Sequence, residues 1–139
     1  MIDKREKLYQ AFGYFLGSFV EDLNVLSGDG WSVLVEGKRD ERALRKLGFV
    51  GNLVTISSLG RKGISAFDGA KKVVILTDLD REGAVLASKY LKRLTHDGFK
   101  TSLRERLRLK IASRGVFLHI ENLSRFAQMQ ETRVVKLDA

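Results

Sequence analysis

The sequence contains no cysteine and only two histidines among its 139 residues. A chain without cysteine cannot form disulfide bonds, zinc–thiolate sites or a cysteine nucleophile. No apolar run approaches the roughly 20 residues that a membrane helix needs, so we expect a cytoplasmic protein without a membrane partner. A chain of this length typically folds as one domain whose core is large enough to be stable without such staples.

Positive charge exceeds negative charge, with a formal net charge of +8 and an isoelectric point near 9.9. A basic balance of this size favours polyanionic partners such as RNA or DNA, although it can also serve only to keep a surface soluble.

The first 30 residues have the pattern of a long amphipathic helix. Apolar side chains recur at spacings of three and four from Leu8 to Leu26, and Asp3 and Glu6 are placed like a capping box at its start. Gly28 and Gly30 predict its end. We expect this helix to pack on the rest of the domain, and a homodimer interface is the alternative.

Short apolar runs then alternate with helical patterns, which predicts an α/β sandwich with a Rossmann-like parallel sheet covered on both faces. The four strand candidates are Trp31–Val35, Leu53–Ile56, Val73–Thr77 and Val116–Ile120. Helices are expected near residues 39–47, 82–94 and 100–114. His119 lies in the fourth run, so we assign it to the core. A β-like piece, Arg133–Val135, lies near the C-terminus.

Two of these runs end in acids: Glu36 follows the first, and Asp78 and Asp80 follow the third. Because ligand sites of open α/β sheets lie at the carboxyl ends of the strands, the three carboxylates should meet there. Their mutual repulsion is relieved by a hard divalent cation, which predicts a Mg²⁺ site that Mn²⁺ can also fill. Zinc is disfavoured, since both histidines lie outside the acidic motifs. The alternative is that Asp78 or Asp80 only caps the following helix.

Glu36-Gly37 after a first strand, followed by Asp78-x-Asp80-x-Glu82-Gly83 after a third, resembles the Toprim family of topoisomerases, primases and nucleases. The match covers residues 31–123, which divides the chain into an N-terminal helix (1–30), a Toprim domain (31–123) and a C-terminal extension (124–139). The chain is most similar to small stand-alone Toprim proteins and to the catalytic domain of a ribosomal-RNA-maturing ribonuclease. The resemblance implies four parallel strands, Glu36 as general acid/base, Asp78 and Asp80 as Mg²⁺ ligands, and Glu82 as an outer ligand.

Cations accompany these acids and predict phosphate contacts, with a solvated surface as the alternative. Gly37 adds a position where a phosphate can approach the backbone closely. The predicted phosphate-binding cations are Lys38, Arg39, Arg61, Lys62, Arg81 and, in the basic helix expected from Lys100 to Arg114, Arg104 and Arg108.

The sequence therefore predicts a Mg²⁺-dependent protein that acts on nucleic acid, with hydrolysis of phosphodiester bonds in RNA or DNA as the favoured activity. The alternative is a metal- and nucleic-acid-binding subunit of a replication, repair or RNA-processing complex that has no turnover of its own. Primer synthesis is a third possibility.

Overall fold

The structure, a computed structural model, describes residues 3–127; residues 128–139, including the β-like Arg133–Val135, lie outside this part. Helices and strands alternate along the chain. In order they are α1 (Lys4–Gly28), β1 (Trp31–Val35), α2 (Lys38–Lys46), β2 (Leu53–Thr55), α3 (Ile56–Lys62), a first 3-10 helix (Gly63–Phe67), β3 (Lys72–Ile75), α4 (Arg81–His96), β4 (Lys100–Ser102), α5 (Arg104–Ser113) and a second 3-10 helix (Ile120–Phe126).

The predicted N-terminal helix is confirmed. Asp3 is its N-cap, and its Oδ1 accepts a hydrogen bond from the Glu6 N–H at 2.8 Å. The chain leaves the helix through Gly30, whose φ of +93° lies in the region that favours glycine. The buried face of α1 packs into the core through Phe12, Leu16, Phe19, Val20 and Leu23. Among residues 3–127, no helix combines the length and the apolar character needed to cross a bilayer.

The sheet has four parallel strands in the order β2-β1-β3-β4, which confirms the predicted α/β class with helices on both faces. Val33 at the centre of β1 is paired with Leu53 of β2 and Val74 of β3. This register places the carboxyl ends of β1 and β3 side by side, because parallel neighbours end at the same edge of a sheet.

Side chains along the two central strands point alternately to two hydrophobic cores. Val33 and Val74 belong to the first core, with α1, α5 and the second 3-10 helix. Leu34 and Ile75 belong to the second, with α3 and α4. Both faces of β1 and β3 are therefore buried, as their uninterrupted apolar runs predicted.

The predicted fourth strand, Val116–Ile120, is wrong. The fourth strand is Lys100–Ser102, so the basic helix begins at Arg104 rather than at Lys100. β4 is a polar edge strand, which needs no apolar run because only one side of it is paired. The segment from 116 to 119 accepts one hydrogen bond from the loop that follows β3, from the Leu79 N–H to the Leu118 carbonyl at 2.7 Å.

Candidate metal centre

Glu36 and Asp78 meet because β1 and β3 are neighbours. Glu36 directly follows β1, and Asp78 comes shortly after β3, whose extension is held by a hydrogen bond from the Leu76 N–H to the Leu34 carbonyl at 2.8 Å. Oε2 of Glu36 accepts a hydrogen bond from the Asp78 N–H at 2.7 Å. Two acidic motifs that are distant in the chain are thus joined directly at the carboxyl edge.

The other two carboxylates are also held by backbone N–H groups. Oδ1 of Asp78 accepts from the Ile120 N–H at 2.8 Å, and Oδ1 of Asp80 accepts from the Gly83 N–H at 2.7 Å. Asp80 is the N-cap of α4, so it does cap the following helix, while its Oδ2 lies 3.7 Å from Nδ1 of His119. Each of the three carboxylates uses one oxygen to bind the backbone, and within residues 3–127 its second oxygen has no backbone partner.

Gly83 allows the loop between β3 and α4 to fold tightly over Asp78. A Cβ at Gly83 would lie 2.6 Å from the carbonyl carbon of Asp78 and still closer to its oxygen. Thr77 braces the same turn, since its Oγ1 donates to the Gly83 carbonyl at 2.6 Å. The backbone conformation that presents Asp78 and Asp80 therefore depends on a residue without a side chain.

His119 lies beside these acids, and its assignment to the core is wrong. Nδ1 of His119 is 3.4 Å from Oδ2 of Asp78 and 3.7 Å from Oδ2 of Asp80, and 47% of its side chain is exposed. Ligand atoms of Asp78, Asp80 and His119 all lie within 4.8 Å of one another. We call these three residues the ligand cluster; Glu36 and Glu82 are outside it.

The protonation equilibria reflect this crowding. Burial raises the pKa of Glu36 above its ordinary value, and the neighbouring charge of Asp78 raises it further, while the N–H bond from Asp78 opposes both. The pKa of His119 is raised chiefly by its hydrogen bond to Asp78. Burial also raises the pKa of Asp40, which lies in the first turn of α2 and accepts from the Gly37 N–H at 3.0 Å.

Arg106 of α5 is the buried cation of this edge. Its guanidinium donates to the carbonyls of Thr77 at 3.3 Å, Asp78 at 2.6 Å and Asp80 at 3.4 Å. It therefore ties α5 to the loop that carries the acids. Nothing in the pattern of the basic helix distinguishes Arg106 from the other cations there, whereas Asp40 could have been recognised as an acid three residues after a helix-capping glycine.

The remaining predicted residues lie outside the ligand cluster. Glu82 is exposed in the first turn of α4. Gly37 has an extended backbone whose N–H is already bonded to Asp40, so it offers a phosphate space but no donor. The exposed cations are Lys38, Arg39, Arg61, Lys62, Arg81 and Arg104.

Arg108 differs from them, because it is engaged by α1. Its guanidinium is 3.0 Å from Oδ2 of Asp22 and lies over the rings of Phe15 and Phe19, with 5.8 Å from the guanidinium carbon to each ring centroid. These contacts account for Arg108 as a residue that joins α5 to α1.

The donor set fits a divalent cation. Carboxylate oxygens are the ligands that Mg²⁺ and Mn²⁺ prefer, and the nearby imidazole nitrogen broadens the choice toward Mn²⁺ and other transition metals. The histidine also removes the sequence-based argument against zinc, which assumed that both histidines lie away from the acids.

No family model matches the chain. It is similar to a UPF0292 protein of Methanosarcina barkeri, with 37% identity over 106 residues that make up 75% of this chain and 74% of the relative. A UPF0292 protein of Pyrococcus abyssi is 38% identical over 93 residues, 66% of this chain and 70% of the relative. A solved structure of a protein from Aquifex aeolicus superposes with a TM-score of 0.64 at 29% identity, covering 76% of this chain and 94% of that one.

Proposed function

This chain belongs to the UPF0292 family, and from its acidic site we propose that it is a Toprim-type protein that hydrolyses phosphodiester bonds of RNA or DNA with Mg²⁺. One observation carries the proposal: three carboxylates from two neighbouring strand ends each bind a backbone N–H with one oxygen. Their second oxygens have no backbone partner among the described residues, and those of Asp78 and Asp80 face Nδ1 of His119. Fixing the ligands in advance reduces the ordering that metal binding would otherwise require.

Asp78 and Asp80 would hold the cation, with Glu82 as an outer ligand and His119 next to them. Bound there, Mg²⁺ would neutralise a phosphate oxygen and lower the pKa of a coordinated water. Mn²⁺ is the expected substitute, because its ligand preferences are similar and the imidazole suits it.

Glu36 is suited to proton transfer. Its raised pKa brings the carboxyl group closer to the pH at which an acid/base group can both accept and release a proton. Glu36 would accept a proton from the attacking water or deliver one to the leaving oxygen. The exposed cations Lys38, Arg39, Arg61, Lys62 and Arg81 would hold neighbouring phosphates. A protein acting on cellular nucleic acid in this way would work in the cytoplasm.

A second function, a metal- and nucleic-acid-binding subunit without turnover, is favoured by the hydrogen bond between Glu36 and the Asp78 N–H. In that case Glu36 serves to join two loops rather than to move protons. The two functions differ in what Glu36→Gln does, because glutamine keeps the acceptor oxygen and loses the acid/base group.

The test is cleavage of end-labelled RNA and DNA, single- and double-stranded, with Mg²⁺, Mn²⁺ or EDTA. We expect metal-dependent products that fall by about 10²–10⁴-fold in Glu36→Gln and are lost in Asp78→Asn. Asp97→Asn is the matched control, since this acid caps the opposite end of α4. Equal cleavage by a variant that lacks Glu36, Asp78 and Asp80 would refute the site. Salt-sensitive binding without any cleavage would favour the subunit.

A further inference from the structure

A groove runs along the basic face of α2, between this helix and the second 3-10 helix. It has a volume of about 370 Å³ and is lined on one side by Arg39, Arg42 and Lys46, and on the other by Glu121, Asn122 and Ser124 of the second 3-10 helix. All three cations are exposed. Only Arg39 among them was expected from the sequence to contact phosphate.

Both walls of this groove start at residues that contact the acids. α2 begins at Lys38, directly after Glu36 and its N-cap Gly37. On the other wall, Glu121 follows Ile120, whose N–H binds Oδ1 of Asp78. Both walls are therefore connected to the acidic site by only one or two residues of chain.

The spacing of the cations matches a phosphate backbone. Arg39, Arg42 and Lys46 lie on one face of the helix, because residues three and four apart are neighbours there. They span about 10 Å of helix axis at about 1.5 Å per residue. A nucleic-acid strand in a duplex carries a phosphate about every 3.4 Å along its axis, so the cations span about three phosphate-to-phosphate steps.

Among the described residues that line the groove, Glu121 is the one acid. Its negative charge is paired with Arg39. Oε2 of Glu121 is 3.8 Å from the Arg39 guanidinium, whose side chain is 82% exposed. Asp40 is buried, and Glu41 lines a neighbouring depression of α2 together with Lys38, Arg42, Arg45 and Lys46. Arg45 is engaged elsewhere, donating to the Phe49 carbonyl at 3.1 Å.

We propose that the groove between α2 and the second 3-10 helix binds the sugar-phosphate backbone of the nucleic-acid strand as it leaves the acidic site. Arg39, Arg42 and Lys46 contact phosphates along this stretch of the strand, without reading the bases. The inference rests on the proposed function only in taking nucleic acid as the ligand, because it requires binding and no turnover.

The test measures affinity for short fluorescein-labelled RNA and DNA oligonucleotides as a function of salt, in EDTA and in the Asp78→Asn background. The first variant is Arg39→Gln/Arg42→Gln/Lys46→Gln. The matched control, Lys89→Gln/Lys92→Gln/Arg93→Gln, removes the same charge from exposed positions of α4. Melting temperatures establish that both variants fold, and Arg42→Gln alone is the milder substitute if the first does not.

We expect the slope of log affinity against log salt to be less steep by about 2–3 in the α2 variant than in the parent. When salt rises from 50 to 200 mM, the affinity of the parent should fall by a factor about 20–40 times larger than the factor by which the affinity of the α2 variant falls. The α4 control should keep the parental slope, and Glu121→Gln should bind more tightly. Equal slope changes in both triple variants would show that only net charge matters and would overturn the groove. An unchanged slope in the α2 variant would overturn it as well, whatever the cleavage assay shows.

Discussion

Replacing Gly83 with alanine is expected to destabilise the protein, although alanine is the better helix former. Gly83 lies in the first turn of α4, and its φ is outside the positive region, so propensity alone predicts a gain of up to about 1 kcal/mol. The added Cβ would, however, lie 2.6 Å from the Asp78 carbonyl carbon. The backbone of Gly83 fixes the position of this Cβ, and the carbonyl belongs to the backbone of Asp78, so one of the two segments must move. Such overpacking costs about 1–3 kcal/mol.

Gly60→Ala in α3 is the matched control, because nothing lies within 4 Å of its Cβ position. It should raise the free energy of unfolding by about 0.5–1 kcal/mol. Gly83→Ala should lower that free energy by about 1–3 kcal/mol, and a change of 1 kcal/mol shifts Tm by roughly 2–8 °C for domains of this size range. Thermal and urea unfolding of the two variants measure the difference directly.

The same substitution should also weaken the metal site, since the segment that must move carries Asp78 and Asp80. Calorimetric titration with Mn²⁺ is expected to show a lower Mn²⁺ affinity in Gly83→Ala and the parental Mn²⁺ affinity in Gly60→Ala. If Gly83→Ala were as stable as Gly60→Ala and bound Mn²⁺ normally, the tight turn over Asp78 would not be what shapes the site.

Three further results are expected. Arg106→Leu should lower the free energy of unfolding by about 2–3 kcal/mol in urea, because buried carbonyls lose a charged donor, whereas Arg104→Leu at an exposed neighbouring position should change it little. In metal-free melts, native-state stability should fall as pH rises through the raised pKa of Glu36, since the folded state favours the protonated acid; Glu36→Gln should lack this contribution and be more stable at neutral pH. Mn²⁺ affinity should rise as pH rises through the raised pKa of His119, and a pH-independent affinity would show that the imidazole does not interact with the bound ion.

The positions of Glu36 and Asp78 could be predicted from the sequence because they depend on the apolar runs directly before them. β1 and β3 are buried on both faces, so each is an uninterrupted apolar run, and the residue that follows each run must lie at the carboxyl edge. That reasoning brought Glu36 and Asp78 together correctly. The roles assigned to them remain predictions that the experiments above test.

The errors have a different origin, because they concern segments whose position is set by distant contacts. β4 is a three-residue polar edge strand with no apolar signal, whereas the apolar run from Val116 to Ile120 has the composition of a strand. The position of His119 depends on that segment, which is held by the hydrogen bond between Leu79 and Leu118. No local pattern encodes such a contact, so the exposed histidine beside the acids could not be predicted.

The hydrogen bonds that hold Asp78 join parts of the chain that are far apart in sequence, which bears on when the site forms during folding. Its N–H and its Oδ1 each bind a residue 42 positions away, Glu36 in one direction and Ile120 in the other. Because contacts between residues far apart in the chain require loop closure before they form, we expect this centre to assemble late in folding. A cation bound there would therefore distinguish the completed fold from partly folded chains. At 100 times its dissociation constant it would stabilise the native state by about 2.7 kcal/mol.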